Sequence, residues 1–389
     1  MIFNPIKVYQ ILFALSILSI SYSMQFLYGI RILDIVILIA TVIAIFFIKK
    51  DGRNFKILLV GFSALVIALV NDGFYLSLNV WDEGRVLQRV ILYEKYMLFF
   101  TIPVIFSVIQ RKKYFHDYKY LISNALLVLY VLMVPLLLYQ SSVSSLPRLS
   151  FPFSSEFVMI RSDAHALSVT MVFLLIYTYI FVQRKSILLR LLTITPGILA
   201  LVLTGSRGGM LLLTVFFLLY YKSRGFIFLL FLTFIFLIFS INIEMYDSQA
   251  ISRVFDIERM IRENFTSENL NRWSMNAYIL SELLEDYRIF TGEGIIGMRY
   301  FYYDALLPSL FSPFGMLGGA LVFYFLFSLY RMNIPNDLNN KRIYKIFSIM
   351  FLISIVVSEY HLVARVYVVM IACIYCYTDT VNYKKKRSN

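Results

Sequence analysis

The chain has 389 residues, of which 60% are hydrophobic and 15% charged, and its mean hydropathy is +0.76. A soluble domain is typically about half apolar and a quarter charged, so this composition excludes an ordinary soluble enzyme and fits a polytopic membrane protein. The net charge of +13 does not mark a nucleic-acid binder, because the cations are spread through short breaks between apolar runs, as in a protein oriented by its cytoplasmic lysines and arginines.

About 20 apolar residues are needed to cross the hydrocarbon. In chain order, the runs predict twelve spans, near residues 8–24, 31–48, 55–70, 92–109, 120–139, 164–182, 187–203, 208–221, 225–243, 305–330, 343–358 and 361–378. The expected fold is an all-α, polytopic transmembrane helical bundle forming a single domain over residues 1–389. Lys7 precedes the first run, but no small-residue cleavage site follows it, so the run reads as a span and not as a removed signal peptide. Cations cluster at Lys7 and at residues 49–56, 111–119, 184–190, 222–224, 331–345 and 384–387. These fall on alternate breaks, which predicts that both termini are cytoplasmic.

The opposite face then receives residues 71–91, 140–163, 204–209, 244–304 and 358–360. The stretch Leu203-Thr204-Gly205-Ser206-Arg207-Gly208-Gly209-Met210 interrupts two nearly uncharged runs. A guanidinium beside hydrocarbon is costly, so Arg207 is a functional candidate by default. The flanking glycines let backbone N–H groups approach an anion, and the helix that begins there turns its positive end toward the same place. Ser206, Gly208 and Gly209 therefore join Arg207 as a candidate phosphate or diphosphate site. A plain tight turn with Arg207 snorkelling to the headgroups fits the same residues.

The 244–304 loop, about 60 residues between the ninth and tenth expected spans, is too long for an idle connector. Leu270, Trp273, Ala277, Leu280 and Leu284 recur at helical spacing, which predicts an amphipathic helix lying on the membrane surface, with Gly292 after its end. Arg272 and Asn276 fall one turn apart on it and can point together at what the helix covers. This face is also rich in arginine, with Arg148, Arg161, Arg207, Arg253, Arg259, Arg262, Arg272, Arg288 and Arg299. Planar guanidinium forks suit phosphate oxygens, while lipid-headgroup contacts and salt bridges account for most such residues.

Arg161-Ser162-Asp163-Ala164-His165 opens the sixth span with a cation, a carboxylate and an imidazole. These groups can do acid–base work or bond sugar hydroxyls; helix capping with a satisfied His is the other reading. Tyr302-Tyr303-Asp304 closes the long loop, ahead of a span broken by Pro308, Pro313 and Gly315. A carboxylate there can accept a hydroxyl proton and tyrosines can stack on sugars, or both can anchor the span at the interface. Cys373 and Cys376 lie inside the last run and read as apolar core. The chain has no phosphate loop, no Gly-x-Ser-x-Gly elbow and no His/Cys set at metal-ligand spacing, so no cofactor and no metal are expected.

Three features together resemble the O-antigen polymerase and O-antigen ligase superfamily of bacterial membrane glycosyltransferases. They are Thr204-Gly205-Ser206-Arg207-Gly208-Gly209 opening a span, Asn271-Arg272-Trp273 followed by Gly292-Glu293-Gly294, and Tyr303-Asp304-Ala305-Leu306-Leu307 leading to Gly315, across roughly residues 140–330. The resemblance implies a bundle of the glycosyltransferase C type (GT-C-like) in the bacterial inner membrane. It implies that Arg207 and Arg272 grip the diphosphate of an undecaprenyl-diphosphate-linked oligosaccharide; the residues themselves offer Asp304, His165 and Asp163 as candidate bases. Arg161, Ser206, Trp273, Asn276, Arg299 and Tyr303 complete the expected substrate-binding set. The ligase branch usually carries a His-Asn pair where this chain has Tyr303-Asp304, which favours a polysaccharide polymerase over a ligase that transfers glycan to a lipid core. An exporter of lipid-linked sugars is the remaining alternative. Expected partners are the lipid-linked glycans, membrane lipids and a chain-length regulator, with no nucleic acid.

Overall fold

The computed structural model describes residues 5–21, 32–48, 52–76, 83–111, 116–143, 161–183, 185–222, 278, 281–284, 288–296, 306–357 and 364–380. Among the described residues all regular structure is helical, and no strand is present. The elements are α1 (Pro5–Leu18) with a 3-10 turn at Ser19–Ser21, α2 (Ile32–Ile48), α3 (Gly52–Leu76), α4 (Glu83–Arg111), α5 (His116–Val143), α6 (Arg161–Val182), α7 (Ile187–Leu203), α8 (Arg207–Tyr221), α9 (Arg288–Thr291), α10 (Leu306–Met332), α11 (Leu338–Val357) and α12 (Ala364–Thr380). Helix is what such sequences must form in lipid, because only intra-segment bonding satisfies each backbone N–H and C=O there.

Among the described residues, four helices are long and apolar enough to cross a membrane: Gly52–Gly73, Tyr120–Ser142, His165–Val182 and Leu310–Met332. A helix lies on each expected span except 225–243, which falls outside the described residues.

Boundaries differ from expectation where polar side chains bond the backbone. The first run does not stay α-helical to residue 24: α1 stops at Leu18, where the Ser16 and Ser19 hydroxyls donate to carbonyls three residues back and the chain tightens into the 3-10 turn. Residues 71–91 are not a simple connector, since α3 continues to Leu76 and α4 begins at Glu83. The reason is that Asn71 and Asp72 find partners inside the protein. Similarly α5 runs on to Val143, past the expected end near 139.

The centre of the bundle is α6 and α12. α6 packs on α5, α7, α8 and α12, while α12 also touches α1, α4, α5 and α11. Residues 166–178 and 366–376 are buried without interruption, so these two helices are apolar all round, as a core position requires. Cys373 and Cys376 belong to that core. Peripheral helices instead turn apolar residues outward, among them Leu38, Val42, Val66, Leu69, Leu191 and Leu192, the surface that lipid would cover.

Lipid tails are as apolar as leucine, so helix association rests on close packing. Gly61 allows this between α3 and α4, because a Cβ there would come within 2.6 Å of the Phe100 ring. Phe100 in turn meets Phe325 of α10 edge to face at 5.0 Å, a geometry worth about 0.5–1.5 kcal/mol beyond area burial.

Polar contacts between helix ends fix direction. His165 and Ser206 meet near the first turns of α6 and α8, and Tyr220 near the end of α8 donates to Gln183 just past the end of α6. Arg342 at the start of α11 donates to the Tyr220 carbonyl, and Tyr344 donates to the Tyr330 carbonyl near the end of α10. α10 therefore ends where α8 ends, and its first half lies at the end of the bundle where α6 and α8 begin. Two polar clusters occupy that end.

Candidate functional site

The first cluster is the turn between α7 and α8. The N–H groups of Thr204 and Gly205 close the last turn of α7 onto Leu201 O at 3.2 Å and Val202 O at 3.0 Å. Gly205 then takes φ +64°, a left-handed conformation that costs glycine little. Ser206 follows with the extended backbone of an N-cap residue, yet its hydroxyl caps nothing. Instead Ser206 Oγ lies 2.8 Å from His165 Nδ1 and 2.9 Å from Ser168 Oγ, and Ser168 Oγ lies 3.0 Å from the His165 carbonyl oxygen. Ser168 is 0% and Ser206 1% exposed, so water does not replace these bonds.

This arrangement depends on the two glycines after Arg207 in different ways. A Cβ at Gly209 would lie 2.8 Å from Ser168 Oγ, whereas at Gly208 the nearest atom would be Ser206 Oγ at 3.9 Å. Gly209 thus makes room for the serine pair, and Gly208 leaves space beside the first turn of α8. Arg207 is the first residue of α8, where the partial positive charge of the helix N-terminus is greatest. Because the Ser206 hydroxyl bonds His165 and Ser168, it does not itself cap the first-turn N–H groups of α8. Such a terminus suits an anion.

The second cluster joins residues far apart in the chain. α9 ends at Thr291, and Gly292 (φ +84°), Glu293 and Gly294 (φ +78°) then run against the kink of α10. That kink sits at Gly315, with φ +62° and ψ −172°, two residues after Pro313. Glu293 N–H donates to Ser312 O at 2.5 Å and Gly294 N–H to Pro313 O at 3.2 Å, so the loop satisfies carbonyls that the broken helix frees. The approach is backbone to backbone: a Cβ on Gly292 would come within 2.6 Å of Gly315 N, and one on Gly315 within 2.5 Å of Phe290 O.

Glu293 is 2% exposed, and its carboxylate accepts from Arg288 at 2.8 Å and from the Ser312 hydroxyl at 2.9 Å. Asp72 is 1% exposed; it accepts from the Ile296 N–H at 2.7 Å and from the Tyr93 hydroxyl. Asn71 adds a bond from Nδ2 to Thr291 O at 2.5 Å. A piece of the long loop is in this way bolted between the end of α3 and the kink of α10.

Of the residues expected at the site, the structure brings together His165, Ser206 and Gly209, with Gly208 next to them. Arg207, Arg161 and Asp163 are placed on the first turns of α8 and α6, and their side chains lie outside the described residues. Arg272, Trp273, Asn276, Arg299, Tyr303 and Asp304 also lie outside them. Within the expected amphipathic helix, Tyr278 and residues 281–284 are helical. There the core-packed residue is Leu283, at 3% exposure, and not Leu284, at 55%; position 283 lies one turn from 280 just as 284 does, so spacing alone did not separate them. Among the described residues no group of three or more His, Cys, Asp or Glu could hold a metal ion.

No family model matches the chain. No curated protein and no solved structure matches it either. The site is therefore read from its own geometry and from the sequence resemblance.

Six participants escaped the sequence reading: Ser168, Asn71, Asp72, Tyr93, Ser312 and the carboxylate of Glu293. Ser168 carried a usable signal, since it follows His165 by one helical turn and shares its face. Asp72 carried one too, as an acid at the edge of an apolar run. For Tyr93 the partner is 21 residues away on another helix, and Glu293 shares its carboxylate between nearby Arg288 and Ser312 of α10, so no local pattern announces either arrangement.

Proposed function

We propose that the chain is a polysaccharide polymerase, a membrane glycosyltransferase that joins undecaprenyl-diphosphate-linked oligosaccharide units on the outer face of the bacterial inner membrane. On this reading the protein has about twelve spans in a GT-C-like arrangement, with both termini cytoplasmic. A hydroxyl of the acceptor glycan attacks the anomeric carbon of the donor. The bond from that carbon to the diphosphate oxygen breaks, the bonding electrons leave with the diphosphate, and a base takes the hydroxyl proton. Negative charge grows on the leaving group, so fixed cations and helix N–H groups are what the reaction asks of the protein. Arg207 and Arg272 fill that role here, and His165, Asp163 and Asp304 are the candidate bases.

One observation carries the reading. The segments of the resemblance are far apart in sequence, yet the 204–209 turn packs on the start of α6, the 292–294 segment packs on Gly315, and both clusters lie at the same end of the bundle. The test is replacement of Arg207 or Arg272 by Ala, with the amount of protein in the membrane measured alongside the glycan. Both variants should reach the membrane at wild-type level and make no polymer. Wild-type chain length in both would overturn the proposal.

A further inference from the structure

We infer that Tyr130 is a positioning residue for the 204–209 turn: its hydroxyl locks a weak joint in α7 at Pro196–Gly197 and so sets where the first turn of α8 stands. Only the catalytic consequence rests on the polymerase reading; the joint and its lock follow from contacts among α5, α6 and α7.

The two halves of α7 are unlike. None of residues 187–196 is buried, whereas Gly197, Ala200 and Leu201 are. The change comes at Pro196, which has no N–H to give to the Leu192 carbonyl and whose ring crowds that carbonyl, so the helix yields most easily there. Thr193 carries the next carbonyl, and the hydroxyl of Tyr130 on α5 donates to it at 2.6 Å. Tyr130 is 2% exposed, so water does not compete for this bond. The same oxygen rests against Gly197, where a Cβ would collide with it, and Leu175 Cδ1 of α6 would lie 2.8 Å from that Cβ. Tyr130 therefore holds α7 on both sides of the proline, by a hydrogen bond before it and a close contact after it. A phenylalanine keeps the ring and loses both.

The second half of α7 carries the effect to the turn. Gly197 and Leu201 are four residues apart and share a helix face. The Leu201 carbonyl accepts from the Thr204 N–H at 3.2 Å and from the Thr204 hydroxyl at 2.7 Å. Leu201 Cδ1 would also lie 3.0 Å from a Cβ on Gly209. A shift of α7 at Gly197 thus reaches the start of α8 through a single helical turn. Arg207 and the first-turn N–H groups of α8, which the polymerase reading sets against the leaving diphosphate, shift with it.

The experiment compares wild type, Tyr130→Phe and Tyr139→Phe as full chains in lipid nanodiscs, by amide hydrogen exchange read with mass spectrometry. Tyr139 is the control, on the same helix but 68% exposed. Tyr130→Phe should speed exchange in residues 197–209 roughly tenfold, as a local opening made easier, and leave α4 and α12 as in wild type. Tyr139→Phe should match wild type throughout. Pro196→Ala restores the missing N–H, and in that background Tyr130→Phe should have little effect. With lipid-linked oligosaccharide as substrate, Tyr130→Phe should lower kcat about tenfold at unchanged KM, part of the ~10²-fold that a misplacement of ~1 Å can cost. Unchanged exchange in 197–209, a rise spread evenly over the chain, or an effect that Pro196→Ala does not diminish overturns the lock. Equal kcat in wild type and Tyr130→Phe overturns the positioning role. If exchange behaves as described but the wild type makes no polymer, the lock stands and the polymerase reading fails.

Discussion

The carboxylate of Asp72 accepts a hydrogen bond from the backbone N–H of Ile296 at 2.7 Å, across a separation of 224 residues. The same Oδ1 lies so close to Gly294 that a Cβ there would collide with it. The end of α3 thereby becomes an anchor for the part of the long loop that leads toward Arg299, and this anchor is separable from the chemistry by mutation. Asp72→Ala orphans a buried N–H and the Tyr93 hydroxyl, each costing about 1–3 kcal/mol. Its thermal unfolding in detergent should move down clearly, whereas Asp72→Asn, which can accept from Ile296 and donate to Tyr93, should stay near wild type. Equal stability of Asp72→Ala and wild type would show that the anchor does not hold the loop.

Gly292 and Gly315 touch through their backbones in left-handed conformations. Alanine at either position adds a conformational cost of roughly 1–2 kcal/mol to a contact too short for a Cβ. Each variant should accumulate poorly in the membrane or expose residues 288–296 to protease. Gly73→Ala is the control: nothing lies within 4 Å of its Cβ, and removing a helical glycine stabilises by up to about 1 kcal/mol. Proteolysis patterns of the three variants decide the matter, and equal behaviour would refute the contact.

The half-buried ion pair of Glu293 with Arg288 gives a third expectation. Glu293→Ala leaves the Ser312 hydroxyl and a partly exposed guanidinium without their carboxylate. Hydrogen bonds to charged groups are worth about 1.5–3 kcal/mol, and the 25% exposure of Arg288 places the loss toward the lower end. Glu293→Gln, which still accepts one bond, should lose less than Glu293→Ala in the same unfolding measurement.

Gly208 and Gly209 are neighbours with opposite predictions. Gly208→Ala fits without a clash, so the protein should fold and, if an anion approaches the first turn of α8, lose activity with a raised KM. Gly209→Ala presses on the buried Ser168 hydroxyl and should lower the unfolding temperature. Interchanged effects on KM and on stability would contradict the roles assigned to the turn.

The helical architecture was legible in the sequence because lipid leaves the backbone few options, and runs such as 187–203 map onto α7 residue for residue. The 204–209 turn was legible for a related reason, since three glycines and a serine between two apolar helices have few other uses. Helix ends were less so. Asn71 and Asp72 look like the polar start of a loop until their partners at Thr291 and Ile296 are known. The same limit applies to Ser206, whose N-cap position is local and readable, while its bond to His165 depends on α6 and α8 packing side by side.

The most direct test of the central claim is the length distribution of surface glycan, read on a gel, in a strain lacking this gene and complemented with wild type or Arg207→Ala. The account predicts single repeat units in the deletion strain, a full ladder restored by wild type, and no ladder with Arg207→Ala. An unchanged ladder in the deletion strain, or polymer that accumulates on its lipid carrier without reaching the surface, would contradict it.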